Sequence, residues 1–565
     1  MEQQRILLYI ALAFTLYLIW QAWQEDYGPR PAPSQAAPAA QGTDSGAAKS
    51  QPAAAAPDLP QAPGSLPTAK TESPAASAEA GTIRVSTDVL DLELSLRGGD
   101  FVHADLPTYP VSVDEPDKPV RLFDNGERVY VAQTGLLAVA ADPKAAVEAA
   151  PSHHARFQAE RRTYTLADGR EALEVPLVWT GPDGVKVTKT YVFHRGSFLV
   201  EVRYRIENPG DQPWRAFAYQ QLRHSALPDS GTSKYFGIHT FTGAAYYDGS
   251  YRKVSFPDME EEPLKVTVEG GWVAMLRHYF FSAFVGDPQL EYTVYTRVVR
   301  DPARGPQYII GMSAPPVTVA PGGTLELATR LWVGPKLQKE LAAIAPGLEL
   351  VTDYGIFTVI SKPLFWLLDK IHSLIGNWGW SIVLLTLLIK LAFYKLSEAS
   401  YRSMARMRAV QPRLAALKER YGDDKQRLNQ ALMELYKTEK INPLGGCLPI
   451  LVQIPVFIGL YWMLLETVEL RQAPFILWIR DLSSPDPYYV LPLLMGVTMF
   501  VQQRLNPAPP DPIQAKIMMI LPFVFTVFFA FFPAGLVLYW LVNNLLSILQ
   551  QWWITRRIEA QAAKA

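Results

Sequence analysis

Cysteine is almost absent from this sequence, because Cys447 is the single one among 565 residues. One cysteine excludes an intramolecular disulfide and any metal site built from several thiolates. An excess of one charge is also absent: 53 Lys and Arg balance 54 Asp and Glu, which argues against a broad basic surface for nucleic acid. The motifs G-x-x-x-x-G-K-[ST], G-x-S-x-G and H-E-x-x-H are missing as well. The sequence therefore predicts no catalytic residues of these common hydrolase types and no cofactor.

Charge is missing altogether from one long stretch near the C-terminus. Charged residues make up 19% of the chain, yet the 39 residues 517–555 contain none. One continuous helix of that length would measure about 58 Å, nearly twice the thickness of a hydrocarbon core. Because Pro533-Ala534-Gly535 interrupts the stretch, we predict a hairpin of two membrane spans, 516–532 and 535–555.

Further apolar runs bring the predicted number of spans to six. The first run ends in Trp20 and Trp23 without a small-x-small cleavage site, so we predict an uncleaved signal anchor. Residues 395–440 contain 11 Lys and Arg, which by the positive-inside rule places this loop and both termini in the cytoplasm. The four additional spans are Ile6–Trp23, Trp378–Tyr394, Ile441–Leu465 and Pro487–Gln503.

Composition divides the chain into segments of different character. Residues 31–80 hold 17 Ala and 9 Pro, which predicts a disordered tether, whereas residues 82–345 show the alternation of half-buried strands. Leu90, Leu92 and Leu94 illustrate this alternation, and we predict an all-β sandwich outside the membrane. The predicted segments are 1–24 (signal anchor), 25–81 (tether), 82–345 (β domain), 346–376 (amphipathic interfacial helix), 377–557 (membrane core with a cytoplasmic hairpin at 397–440) and 558–565 (short tail).

Histidines concentrate in the β domain, which holds seven of the eight. None of the seven has the spacing of two metal ligands on one helix face. The adjacent pair His153-His154 lies in a polar loop, where we expect the two rings to point in different directions. We interpret these histidines as surface or structural residues and predict no metal site.

Polar residues within the predicted spans are the most informative side chains. Lys390 lies four residues after Thr386, so both share one helix face. A lysine in a span costs about 2.5–3.5 kcal/mol, which is reduced if it faces protein or water, or if it snorkels to the headgroups. Both readings of Lys390 stay open, and interhelical hydrogen bonding is an alternative for the other polar groups. Polar stripes on several spans favour a shared hydrated cavity; on the last span they comprise Tyr539, Asn543, Ser547 and Gln550.

The cytoplasmic loop is predicted to form a basic antiparallel hairpin of two helices. Met407, Val410, Leu414, Leu417 and Tyr421 follow the 3-4 spacing of a coiled-coil seam. We expect the first helix to end near 422 and an aspartate at 423 or 424 to cap the second. A structural hairpin and a docking arm, for example for the ribosome, are equally compatible with this pattern.

Several motifs resemble one protein family over the whole chain except the tether. The motifs are Asn442-Pro443-Leu444-Gly445-Gly446-Cys447, Gln453-Ile454-Pro455, Asp486-Pro487-Tyr488-Tyr489, Phe532-Pro533-Ala534-Gly535-Leu536-Val537-Leu538-Tyr539 and Gly270-Gly271-Trp272-Val273-Ala274-Met275-Leu276. They are similar to the YidC/Oxa1/Alb3 family of membrane protein insertases in its Gram-negative form. The resemblance implies a periplasmic β-supersandwich like that of galactose mutarotases, followed by a core of five transmembrane helices.

The resemblance also implies a function without catalysis or cofactor. Nascent membrane proteins would enter a hydrated groove and pass into the lipid bilayer of the inner membrane, alone or with the Sec translocon and its accessory subunits. The ribosome and signal-recognition-particle pathway would deliver them, and no other nucleic-acid contact is expected. The family's groove charge, often an arginine, falls on Lys390. The predicted groove comprises Lys390, Thr386, Gln453, Phe457, Thr498, Gln502, Tyr539, Trp540, Asn543 and Ser547. The predicted docking residues of the hairpin are Arg402, Arg406, Arg408, Arg413, Lys418 and Arg420.

Two departures from the family pattern and two rival functions accompany this interpretation. Lys395 stands where relatives often have proline, so the helix is expected to continue into the loop, and the tail after Arg557 is short. A small-solute transporter would use the same polar stripes, although no paired ionisable groups are present in the spans. A membrane-tethered carbohydrate-binding or carbohydrate-active protein would place the function in the β domain instead.

Overall fold

The structure is a computed structural model that describes residues 58–60, 81–139, 149–226, 240–422, 424–439, 448–506 and 512–562. The predicted signal anchor, most of the tether and the motif at 442–447 lie outside these residues. The predicted domain boundaries stay predictions. The described residues form a β-rich part, a helical part and a separate helical hairpin, and each is treated in turn.

Nineteen strands make up the β-rich part as far as it is described. They are β1 (Thr82–Ser86), β2 (Asp91–Ser95), β3 (Phe101–Ser112), β4 (Glu115–Asn125), β5 (Val129–Ala138), β6 (Thr163–Thr165), β7 (Ala172–Thr180), β8 (Lys186–His194), β9 (Leu199–Glu207), β10 (Trp214–Ser225), β11 (Gly243–Tyr247), β12 (Tyr251–Val254), β13 (Lys265–Glu269), β14 (Trp272–Leu276), β15 (Phe280–Val285), β16 (Glu291–Asp301), β17 (Gly305–Ser313), β18 (Val317–Val319) and β19 (Thr324–Pro335).

The strands form two sheets that share one apolar core. The first sheet has the order β13-β16-β17-β10-β5-β4-β3-β2-β1-β6, with β18 also paired to β10, and the second has the order β12-β11-β14-β15-β19-β9-β8-β7. Leu92 and Leu94 of the first sheet and Val200 and Val202 of the second are fully buried in the same cluster. Alternating side chains therefore face inward, as the sequence pattern predicts. The predicted all-β sandwich is confirmed.

Eleven helices are described, most of them in the second half of the chain. The helices are α1 (Phe256–Glu261), α2 (Gln338–Ile344), α3 (Thr358–Ile375), α4 (Trp378–Ala392), α5 (Tyr394–Ala409), α6 (Gln411–Tyr421), α7 (Lys425–Thr438), α8 (Leu448–Glu466), α9 (Val490–Leu505), α10 (Pro512–Phe529) and α11 (Ala534–Ala562). Short 3₁₀ turns are present at Leu348–Val351, Gly355–Phe357 and Val468–Leu470. The gap between α10 and α11 contains Pro533, at the break that the sequence predicts.

The expected six membrane spans are not confirmed. Within the described ranges, no single helix combines the length and hydropathy needed to cross a membrane; α4 and the following Tyr394–Met407 meet that requirement together, with a bend of 67°. The bend lies at Phe393, which caps α4. The sequence predicts a helix that continues past Lys395. In the structure α4 ends at Ala392, and a second helix, α5, continues past Lys395 after the bend.

The β-rich part contacts the helical part through polar groups. Arg471 Nη2, after α8, donates to the carbonyl of Pro110 at 2.7 Å, and Gln472 Nε2 donates to the same oxygen at 2.7 Å. Nζ of Lys336, the residue after β19, lies 3.9 Å from a carboxylate oxygen of Glu466 at the end of α8, and both side chains are at most 6% exposed. These contacts join a β hairpin and the last strand to one end of the helical part.

The helical hairpin has three helical segments, so the prediction of two is wrong. Val410 interrupts the first arm between α5 and α6, and Pro412 stands in the first turn of α6, where its missing N–H is tolerated. Val410 is buried, and so are Leu428 and Leu432 on α7. Asp424 caps α7 by accepting hydrogen bonds from the backbone N–H groups of residues 426 and 427, as predicted.

Candidate functional site

Lys390 is a buried cation on α4. Its residue exposure is 9%, and Nζ donates a hydrogen bond of 2.7 Å to Ser547 Oγ on α11. Within the described part of the chain, no carboxylate lies within ion-pair distance and Ser547 is its one hydrogen-bond partner. An ammonium group has three N–H donors, so this geometry leaves two for water or for a bound ligand.

Neighbouring hydroxyls hold the surroundings of Lys390 in a fixed arrangement. Ser547 Oγ donates to the carbonyl of Asn543 at 2.7 Å, which leaves its lone pairs for the lysine. Thr386, one turn before Lys390, is 1% exposed and donates to the carbonyl of Ile382 at 2.7 Å. The structure thus brings Lys390 and Ser547 together between α4 and α11, whereas the hydroxyl of Thr386 bonds within α4.

Other polar residues of α11 are used to pack it against α9. Asn544 Nδ2 donates to Thr498 Oγ1 at 3.4 Å, and Gln551 Nε2 donates to the carbonyl of Leu505 at 3.1 Å. Thr498 itself donates to the carbonyl of Met495 at 2.7 Å. For Thr498, the alternative of interhelical hydrogen bonding therefore describes the contact that is seen.

Aromatic side chains form an apolar wall between α8 and α11. Phe457 stacks on Tyr539 with ring centroids 5.9 Å apart and meets Trp540 edge-on at 4.5 Å. Trp540 also contacts Phe529 of α10 at 4.8 Å. Tyr539 is buried while Phe457 and Trp540 are half-buried, so the wall is partly accessible.

The remaining predicted groove residues are less closely connected. Gln453 on α8, Gln502 on α9 and Asn543 on α11 are half-buried, and none of their side chains bonds to Lys390. Asn544 and Gln551 were not among the predicted site residues, although their spacing of seven places both on one helix face. That spacing is the signal by which their role in packing α11 could have been found.

The basic residues of the hairpin are largely solvent-exposed. Arg402 donates to Glu398 at 3.1 Å within α5, whereas Arg413 pairs with Glu439 beyond α7. Arg420 lies over the ring of Tyr421 at 5.5 Å, and Arg406 is exposed. The side chains of Arg408 and Lys418 lie outside the described residues.

His153 and His154 do not point in different directions, so that expectation is wrong. Their ring centroids are 4.1 Å apart, and Nε2 of each ring lies 3.2 Å from a carboxylate oxygen of Asp58. Asp58 lies 95 residues before His153, in the segment predicted to be a tether, so no local pattern predicts this contact. The three ligand atoms lie within 4.8 Å of one another, a spacing that could hold a metal ion.

Large apolar side chains are exposed on α9, α10 and α11. Leu493 and Val497 on α9, Phe523 and Val527 on α10 and Leu549 on α11 are 58 to 66% exposed. Exposed apolar surface of this extent, around a buried polar cluster, is what a lipid-facing helical protein presents. The fold and the site together define a class: helical proteins with an exposed apolar surface, a buried polar cluster and a large β-sandwich domain.

Comparisons with known proteins give the family within that class. The family model "YidC periplasmic domain" matches residues 82–367, and "60Kd inner membrane protein" matches residues 370–561. Membrane protein insertase YidC of Thioalkalivibrio sulfidiphilus is 58% identical over 567 residues, covering 100% of both chains. The protein of the same name from Methylococcus capsulatus is 50% identical over 570 residues, again covering 100% of both chains. The chain belongs to the YidC family of membrane protein insertases.

Similar solved structures include a YidC insertase crystal structure with its first transmembrane domain resolved. It is 18% identical, has a TM-score of 0.37 and covers 84% of this chain and 92% of its own. A galactose mutarotase related enzyme from Lactobacillus acidophilus is 10% identical, with a TM-score of 0.31, and covers 45% of this chain and 97% of its own. The family places this chain in the bacterial inner membrane, with the β domain as its periplasmic domain.

Proposed function

We propose that this chain inserts nascent membrane proteins into the inner membrane without a covalent step, and that Lys390 is the group that receives their polar flank. The observation that carries the proposal is the buried ammonium group of Lys390, which has one hydrogen-bond partner among the described residues, Ser547 at 2.7 Å. A buried cation that lacks a carboxylate partner favours an anionic ligand. Acidic residues flanking an incoming apolar segment supply that ligand.

The apolar surroundings support transfer to lipid. The aromatic wall joins Phe457 of α8 to Tyr539 and Trp540 of α11, the helix that also carries Ser547, and Trp540 contacts α10. Transfer of an incoming segment of about 20 apolar residues into hydrocarbon lowers its free energy, so its release needs no ATP. Lys390 then acts on the polar flank, whose passage is the costly part of the process.

Orientation and partners complete the proposal. We propose six spans with both termini in the cytoplasm, which places the hairpin of α5, α6 and α7 on the side where nascent chains arrive. Its exposed arginines, Arg402, Arg406, Arg413 and Arg420, suit contact with the acidic surface of a ribosome or with anionic lipid headgroups. Cooperation with the Sec translocon is part of the same proposal for substrates with large translocated regions.

The test is insertion of a single-span substrate with an acidic leader into proteoliposomes. Lys390→Ala is expected to lower the initial insertion rate about tenfold, which corresponds to about 1.4 kcal/mol, because the leader loses its one cationic partner. Lys390→Arg is expected to stay near wild type, since a point positive charge suffices. An unchanged rate in the alanine variant would remove Lys390 from the mechanism.

A matched control separates this effect from damage to the helix. Ser381 lies on the same helix and its hydroxyl donates to the carbonyl of Asn377 at 2.8 Å. Ser381→Ala removes a polar group from α4 without touching the Lys390 site, so its insertion rate is expected to match wild type.

A further inference from the structure

A short piece of the tether, Asp58–Pro60, lies against the β domain and is held by charge and hydrogen bonds. Both carboxylate oxygens of Asp58 are engaged: Oδ2 lies 3.2 Å from His153 Nε2 and Oδ1 lies 3.2 Å from His154 Nε2. Arg223 Nη1 is 3.8 Å from Oδ2. The Asp58 side chain is 11% exposed, so a carboxylate from outside the folded domain is almost completely enclosed by it.

The backbone and the next side chain of this segment are recognised as well. Gln221 Nε2 donates to the carbonyl of Asp58 at 3.1 Å, and Arg297 donates to the carbonyl of Leu59. Leu59 is 6% exposed and packs against Phe217 and Tyr219, a small apolar cluster separate from the main core. The β domain therefore binds three features of an extended peptide: a carboxylate, two carbonyls and a large apolar side chain.

The β-domain groups that make these contacts are positioned by other β-domain residues. Gln221 donates to Gln133 Oε1 at 2.9 Å and accepts from the hydroxyl of Tyr295 at 2.8 Å. The backbone N–H of His153 donates to the hydroxyl of Tyr219 at 2.9 Å. A site whose polar groups are fixed in this way loses little entropy on binding, which is the arrangement of a built site.

The hydrogen bonds of the His154 ring favour direct contact between the Asp58 carboxylate and the two histidines over a metal ion held between them. Nδ1 of His154 lies 3.1 Å from Arg97 Nη2, and a guanidinium only donates, so Nδ1 accepts and the ring proton is on Nε2. Nε2 of His154 then donates to Asp58 Oδ1 and has no lone pair for a metal. Moving that proton to Nδ1 would direct it at the arginine.

We propose that the β domain carries a binding site for an extended peptide with an acidic residue followed by a large apolar residue, and that the chain's own tether occupies it through Asp58–Pro60. The site is lined by His153, His154, Gln221, Arg223 and Arg297, with Phe217 as its apolar floor. Occupation by the tether is intramolecular, so its effective concentration, of millimolar order, shields the site from weaker peptides. Release of the tether opens a site for an acidic peptide in trans.

The test uses the full chain in nanodiscs and a fluorescein-labelled peptide with the sequence of residues 56–63. Fluorescence anisotropy is expected to show about tenfold tighter binding to the Asp58→Ala/Leu59→Ala variant than to wild type, because the tether no longer competes. Both substitutions lie in the tether, and a circular dichroism spectrum equal to that of wild type verifies that the β domain of the variant keeps its fold. Asp44→Ala changes another aspartate of the same tether and is expected to behave like wild type.

Two further measurements define the chemistry of the site. A peptide with asparagine in place of the aspartate is expected to bind the same variant about tenfold more weakly, since it offers no charge to Arg223. Arg223→Gln added to that variant is expected to weaken the acidic peptide to the level of the asparagine peptide. Equal binding of the peptide to wild type and variant, or equal binding of the two peptides, would overturn the proposal.

Discussion

The buried ion pair between Lys336 and Glu466 is expected to determine how firmly the β domain is joined to the helical part. The Lys336 Nζ and a Glu466 carboxylate oxygen are 3.9 Å apart, and the side chains are 4% and 6% exposed. Burial lowers the pKa of Lys336, and the Glu466 carboxylate counteracts that effect. At an effective dielectric constant of 20, the attraction across this distance is about 4 kcal/mol.

Lys336→Met is expected to destabilise the protein by about 3–5 kcal/mol, because it leaves a buried carboxylate without its partner. The double variant Lys336→Met/Glu466→Leu removes both charges and is expected to lie within about 1 kcal/mol of wild type. Thermal unfolding in a mild detergent, followed by near-UV circular dichroism, measures the difference; the single variant should melt roughly 10 °C lower.

The exposed pair Lys118–Glu115, at 3.5 Å with side chains 64% and 54% exposed, provides the control. Lys118→Met is expected to cost less than about 1 kcal/mol, as exposed pairs do. If the double variant at Lys336 and Glu466 were as unstable as the Lys336 single variant, the loss would come from packing. An unpaired buried charge would then not be the cause of the instability.

Three other perturbations follow from the same structure. Burial lowers the pKa of His153 to about 4, although the hydrogen bond to Asp58 opposes this shift. Between pH 4 and 6.5 the unfolded chain therefore binds more protons than the folded protein. The free energy of unfolding is expected to fall by up to about 3 kcal/mol as the pH drops through that window. Gly496→Leu is expected to cost about 1–3 kcal/mol in thermal unfolding, because a side chain there meets Thr526 of α10. Asp424→Ala is expected to speed amide hydrogen exchange in the first turn of α7 about fivefold, corresponding to about 1 kcal/mol of lost capping.

Each of these predictions has a comparison that would contradict it. The groups facing the His153 ring are Asp58, His154, Tyr219 and Arg223, and His153→Gln should flatten the pH dependence between 4 and 6.5 if the histidine causes it. Burial alone would raise the pKa of Asp58, but hydrogen bonds from the two histidines hold it below its usual range. The stability that the ionised Asp58 carboxylate contributes is therefore lost only at a pH below the window in which His153 titrates. Val497→Leu is an exposed neighbour of Gly496, and equal destabilisation by both would exclude the close approach to α10. Glu434→Ala in mid-helix should leave the exchange in the first turn unchanged.

Local patterns in the sequence were enough to predict the sandwich, the break before α11 and the aspartate cap of α7. Alternation, an interrupting proline and a capping residue act over a few positions, so they are readable without tertiary information. Spacing also identified Ser547 as part of the polar stripe that the structure places next to Lys390. These successes concern residues whose structural role is set by near neighbours.

Contacts between distant segments could not be predicted in the same way. Asp58 with His153, and Lys336 with Glu466, join residues far apart in sequence, and each residue alone reads as an ordinary polar group. The seam predicted through Val410 was wrong in its continuity because a proline two residues later starts a new helix. Packing of α11 on α9 likewise gave Asn544 a role that its adjacent position to Asn543 did not reveal.

Charge reversal at position 390 and in the substrate leader shows whether Lys390 recognises the substrate by its charge. Lys390→Glu is paired with two versions of one single-span substrate, with aspartates or with lysines in the leader, and insertion into proteoliposomes is measured for all four combinations. Wild type is expected to insert the aspartate leader faster, and Lys390→Glu is expected to insert the lysine leader faster. If Lys390→Glu slows both leaders to the same extent, the charge at position 390 does not recognise the substrate.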